Sequence, residues 1–168
     1  LYRAHPNVST VKEATGNLDN MRRTRQCCGP DFSIFSGDDG LTHEMMTDPD
    51  IAAAGVISVV SNIAPKAMVD LVNLLRAGKA DAAKTLADAL APLFGLVTVV
   101  TQEPTPYGDV VCRARNPLAI KTLMQLLGVP SGPCRPPLGK MSRAGLEKVV
   151  SIAKTVQASH PEILAPLA

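Results

Sequence analysis

Lys12 sits inside the strand-like run Val8-Ser9-Thr10-Val11-Lys12-Glu13-Ala14 and is followed at once by Thr15-Gly16-Asn17. A charged amine in a buried strand needs a partner or must give up its proton. A neutral lysine amine is a nucleophile toward carbonyl carbon. The same residue fits a second reading, a lysine on a strand rim with its head in water. Two more polar clusters close apolar runs downstream: Ser36-Gly37-Asp38-Asp39 after Phe32-Ser33-Ile34-Phe35, and Ser58 to Asn62 within and after Gly55-Val56-Ile57-Ser58-Val59-Val60.

Each cluster needs an element to carry it. The run ending near Lys12 reads as a strand, and Gly16 to Cys27 as a helix capped by Thr15 or Asn17. Phe32 to Phe35 reads as a second strand, followed by a helix over Gly40 to Thr47. Gly55 to Val60 reads as a third strand, followed by a helix over Pro65 to Ala77 with Gly78 as its stop. Lys12, Ser36 and Ser58 recur at nearly constant spacing, as expected for parallel strands joined by crossover helices. The polar residues then fall at the C-terminal strand ends, where β/α barrels and open doubly wound sheets carry their sites. Three such units cannot close a barrel of eight strands, so the chain reads as part of one.

The second half changes character. Lys79 to Leu96 has helical spacing of Ala82, Leu86, Leu90 and Leu93. Asn116-Pro117 opens a helix running to Gly128, with Asn116 as its cap, and Ser142 opens a last one through about Gln157, interrupted by His160-Pro161. Between them, residues 97–115 are either a long loop or an extended hairpin. The expected organisation is a barrel portion over residues 1–78 and a helical portion over residues 79–168.

Composition excludes several classes. A net charge of +2 on 168 residues is too small and too scattered for a nucleic-acid groove. Met21-Arg22-Arg23-Thr24-Arg25 lacks interleaved aromatics and reads as a solvated helix face. Cys27, Cys28, Cys112 and Cys134 form no C-x-x-C pair, which argues against a zinc ribbon and suits a reducing, cytoplasmic setting. Cys27-Cys28 reads as two small, partly buried thiols at a helix end. No apolar run reaches membrane-spanning length, and the first segment is too charged for a signal peptide. Strand-like sequence so close to Leu1 raises the expectation of further sequence upstream.

The segments Val11-Lys12-Glu13-Ala14-Thr15-Gly16-Asn17, Ser36-Gly37-Asp38-Asp39, Gly55-Val56-Ile57-Ser58-Val59 with Asn62, Asn116-Pro117 with Lys121, Leu127-Gly128, and Arg135-Pro136-Pro137-Leu138 occur in one order. Together they resemble the C-terminal part of the dihydrodipicolinate synthase family, within the pyruvate-dependent class I aldolases that also include N-acetylneuraminate lyase. Residues 97–115 depart from the family pattern by their length.

The resemblance implies an α/β fold: the last three units of a (β/α)8 TIM barrel and a C-terminal helical domain, in a homo-oligomer, usually a tetramer. It implies that Lys12 condenses with pyruvate to an imine, which becomes an enamine and attacks aspartate semialdehyde. Cyclisation and release then give 4-hydroxy-tetrahydrodipicolinate, on the path to diaminopimelate and lysine. Gly37 and Ile57 inherit pyruvate-pocket positions. No cofactor or metal is implied beyond the covalent imine. The residues agree with this chemistry: imine formation needs a neutral amine, which apolar surroundings favour, and Ile57 would supply an apolar wall. Gly37 has no side chain, so its backbone can approach a small keto acid. Asp38 and Asp39 read as ordering their loop or capping the helix near Gly40, His43-Glu44 as solvated or packed, and Lys66 and Lys121 as surface cations.

The family's relay tyrosine and threonine pair lie upstream of the lysine. Tyr2, expected on a helix before the lysine strand, does not match the relay position. The chain alone is therefore expected to be a poor enzyme. A sugar-acid aldolase of the N-acetylneuraminate lyase type and a non-catalytic barrel fragment are the alternatives.

Overall fold

A computed structural model describes residues 1–168. In chain order it contains β1 (Thr10–Glu13), α1 (Leu18–Cys28), β2 (Ser33–Ser36), α2 (Thr42–Thr47), β3 (Gly55–Val56), α3 (Pro65–Arg76), α4 (Ala80–Phe94), β4 (Thr98–Thr105), β5 (Gly108–Arg115), α5 (Leu118–Leu126) and α6 (Arg143–Ser159). The chain divides into two compact units, Leu1–Ser58 with Met68–Asp88, and Val59–Ala67 with Ala89–Ala168.

In the first unit the three strands form a parallel sheet in the order β1-β2-β3. Lys12 stands beside Phe35, Glu13 beside Ser36, and Ser36 beside Val56. This is the α/β arrangement expected from the recurring strand–helix spacing. Helix α1 starts where Asn17 Oδ1 accepts the N–H groups of Asp19 (2.9 Å) and Asn20 (3.1 Å), so of the two cap candidates Asn17 holds the position. Asp19 in its first turn and Arg25 in its last suit the helix dipole. Met21, Phe32, Ile34, Met45, Ile51 and Ala53 form one buried cluster, against which Tyr2, Val11, Leu18 and Leu41 pack. Tyr2 lies in a turn rather than a helix, its ring set edge-on to Phe32 at 5.0 Å between centroids.

Three local expectations are corrected. Strand β3 stops at Val56 rather than running to Val60, because β2 ends at Ser36 and offers no partner beyond the bond from Ile57 N–H to Ser36 O. Val60–Asn62 instead forms a 3-10 turn. The arginine cluster is not merely solvated: Arg22 bridges Asp19 and Asp48, each at 2.8 Å. Arg25 donates to the backbone carbonyls of Ile51, Gly29, Pro30, Phe32 and Ala52, so its planar fork gathers the ends of α1 and the two following loops. Of the paired thiols, Cys27 is exposed and Cys28 half-buried.

In the second unit, residues 98–115 are a hairpin, β4 antiparallel to β5 around Pro106-Tyr107. Helix α6 packs on α5 and on β4. Val99, Ala119, Ile120, Leu123, Val149, Ala153 and Val156 are buried. Ser142 caps α6 by accepting Gly145 N–H (3.1 Å), while its hydroxyl donates to Glu103 Oε1 on β4. Thr101 also donates to that oxygen at 2.6 Å. These donors, the Ser142 hydroxyl foremost, hold the Glu103 carboxyl below its ordinary pKa, with a smaller part from the Cys112 thiol. Helix α5 begins at Leu118 with Pro117 in the cap position, not Asn116, and no side chain caps it. Lys121 is tied down rather than free, donating to Pro133 O at 2.8 Å.

Candidate functional site

Alternation along the strands sorts the first unit's sheet into two faces. Val11, Glu13, Ile34, Ser36 and Val56 share one, and Val11 and Ile34 there join the cluster that contains Met21 of α1 and Met45 of α2. Thr10, Lys12, Phe35, Gly37, Gly55 and Ile57 share the other. Lys12 and Ile57 on it are exposed, Ile57 at 47%, and Phe35 is half-buried. The sheet places Lys12, Gly37 and Ile57 together, on one face at the C-terminal ends of adjacent parallel strands. Lys12 is exposed, as in the strand-rim reading, and not shielded as the buried-strand reading required, because its face is the one opposite the Met21–Met45 cluster.

Gly37, just past the end of β2, lies close against the end of β1. Its N–H donates to Glu13 O at 2.7 Å. A Cβ added there would fall 2.6 Å from Ala14 Cβ and 3.0 Å from both Glu13 O and Lys12 Cε. Any side chain at position 37 would collide first with Ala14 and the Glu13 carbonyl and would also press on the lysine stem, so glycine is required by proximity. Ile57 is fastened at the next strand end by its N–H bond to Ser36 O at 2.8 Å.

The loop after Lys12 is tied in from both sides. Glu13, buried opposite Lys12, accepts Thr15 N–H at 2.8 Å. Asp38 Oδ2 accepts Gly16 N–H at 3.0 Å, and Gly16 takes φ +69, a conformation that glycine adopts freely. Of its two readings Asp38 therefore takes the loop-ordering one, joining two strand-end loops, and makes no side-chain cap to the 3-10 turn Asp39–Leu41. Buried Ser36 donates to Asp38 O at 2.8 Å, and Thr42 Oγ1 lies 3.3 Å from both Ser36 Oγ and Asp38 O. Ser36, Thr42 and Glu13 tie down these strand-end loops, which sequence motifs alone did not assign. The signal for Glu13 was its place next to Lys12 in a strand, which puts it on the opposite face. His43 Nε2 lies 3.3 Å from Ala80 O. No group of three or more His, Cys, Asp or Glu side chains is placed to hold a metal ion, and no helix is long and apolar enough to cross a membrane.

The fold and this cluster define an α/β protein with a primary amine beside a glycine notch and an isoleucine at the C-terminal rim of a parallel sheet. The sequence matches the profile of the dihydrodipicolinate synthetase family over residues 1–156, and the chain belongs to that family. It is 38% identical over 149 residues to the 4-hydroxy-tetrahydrodipicolinate synthase of Methanococcus maripaludis strain S2, covering 89% of this chain and 45% of the relative. It is 35% identical over 139 residues to the enzyme of the same name from Leptospira biflexa, covering 83% and 42%. Among solved structures, the 4-hydroxy-tetrahydrodipicolinate synthase of Methylacidiphilum fumariolicum SolV superposes with a TM-score of 0.76 at 30% identity, covering 98% of this chain and 50% of that one. The chain spans about half the length of the curated relatives it matches.

Proposed function

We propose that this chain is the lysine-bearing half of a 4-hydroxy-tetrahydrodipicolinate synthase, a lyase that condenses pyruvate with aspartate semialdehyde. Lys12 Nζ adds to the keto carbon of pyruvate, and the keto oxygen leaves as water to give the imine. Loss of a methyl proton gives the enamine, whose terminal carbon attacks the aldehyde. Gly37 lets its strand end lie close against the Lys12 stem, which sets its backbone beside the pyruvate that the amine captures, and Ile57 forms an apolar wall there. The lysine supplies the covalent chemistry, with no further cofactor or metal. The observation that carries this reading is the convergence of Lys12, Gly37 and Ile57 on one face at one end of the sheet.

In this reading the β1-β2-β3 sheet is the last three units of a (β/α)8 barrel, the open face of Lys12 is barrel interior, and residues 79–168 are the C-terminal helical portion. The enzyme works in the cytoplasm as a homo-oligomer, a tetramer in the family. The names of the relatives favour the synthase over a sugar-acid aldolase. The discriminating experiment assays the full-length protein with pyruvate plus aspartate semialdehyde against pyruvate plus N-acetylmannosamine. Turnover of the first pair alone supports the synthase; turnover of the second alone assigns the N-acetylneuraminate lyase type. No turnover of either leaves the fragment reading in its place.

A further inference from the structure

The β4–β5 hairpin is a two-stranded sheet with two unequal edges. Counting from the two-residue turn Pro106-Tyr107, the ladder bonds of β5 use Gly108, Val110, Cys112 and Ala114, so the amides of Asp109, Val111, Arg113 and Arg115 point away from β4. The corresponding outward positions of β4 are blunted. Pro104, one of them, has no N–H to offer, and the carbonyl of Val100, another, accepts Lys148 Nζ at 3.0 Å. Strand β5 carries neither device. Gly108 to Val111, Arg113 and Arg115 are exposed, with Val110 and Val111 at 43% and 59%. An eight-residue strand with an open edge and exposed valines is a template for another strand.

The sequence of β5 is complementary to itself in antiparallel orientation. About a two-fold axis at Cys112, Asp109 meets Arg115, Val111 meets Arg113, Val110 meets Ala114 and Cys112 meets itself. In this register every outward amide faces another outward amide, and both ends are opposite-charge pairs. A register centred on Arg113 would instead stack arginine on arginine, which cross-strand repulsion disfavours.

We propose that β5 is a docking edge for a second copy of this chain, two hairpins joining into a four-stranded antiparallel sheet across Cys112. This goes beyond the catalytic reading and does not depend on it. Cys112 falls at a non-hydrogen-bonded pair, where Cα atoms approach to about 4.5 Å, within the span that a disulfide bridges. The two thiols can therefore report the pairing without being part of it.

The test replaces Cys27, Cys28 and Cys134 with serine and exposes the chain to diamide, which takes two hydrogens from two thiols to form one disulfide. Expected is a covalent dimer through Cys112, formed faster than in a control retaining only exposed Cys27. Asp109→Arg should weaken dimer formation about tenfold, and the double change Asp109→Arg with Arg115→Asp should restore it, since each copy then offers the reciprocal charge. These positions are on the surface, and circular dichroism checks that the variants stay folded. Cross-linking no faster than the Cys27 control, or a charge swap that fails to rescue, overturns the proposal.

Discussion

Lys12 Cε lies 3.0 Å from the point where a Cβ on Gly37 would stand. The lysine stem and the glycine backbone thus share one space at the rim of the sheet. Gly37→Ala must move Ala14, the Glu13 carbonyl or the lysine itself. We expect it to destabilise the protein by about 1–3 kcal/mol, as overpacking does, and to slow imine trapping by pyruvate beyond what the stability loss explains. Urea denaturation together with borohydride trapping checks this. Wild-type trapping in a folded Gly37→Ala variant would contradict the placement.

Arg25 predicts a contrast with its neighbour. Its guanidinium reaches five backbone carbonyls, and Arg25→Ala leaves half-buried acceptors without their donor. The expected cost is about 2–3 kcal/mol. Exposed Arg23→Ala should change stability by about 0.5 kcal/mol or less. Equal chemical-denaturation midpoints for the two variants would refute the fastening role of Arg25.

Glu103 predicts a pH dependence. Its folded pKa is depressed, chiefly by the Ser142 hydroxyl and next by Thr101. A depressed carboxyl pKa adds stability that is present above the unfolded value, about 4.3, and is lost as pH falls through the lower folded value. Glu103→Gln should therefore be less stable than the wild type near neutrality, with the two curves converging in acid. Parallel denaturation midpoints from pH 7 to below 4 would count against it.

Much of the first unit was legible because local signals agreed. Asn17 as cap, Gly78 as stop and the recurring strand ends all reflect backbone demands that short segments express alone. What sequence did not reveal depends on partners distant along the chain. The early end of β3 follows from where β2 runs out, and the choice between loop ordering and capping for Asp38 from the approach of Gly16, 22 residues earlier. Arg25 looked like surface charge because its carbonyl acceptors lie on loops that the sequence cannot bring near it. Residues 97–115 left loop and hairpin open because Pro, Gly and charge suit both, and only the β4–β5 pairing separates them. Lys12 kept both a buried and a water-facing reading for a related reason: a strand pattern shows that faces alternate, not which face is covered.

The central claim is that Lys12 is the amine that captures pyruvate. The most direct measurement reduces the full-length protein with borohydride in the presence of pyruvate and locates the adduct by peptide mass spectrometry. One pyruvate-derived adduct on the Lys12 peptide, abolished in a folded Lys12→Ala variant, is the predicted result. An unmodified Lys12 peptide, or an adduct that persists in Lys12→Ala, contradicts the account.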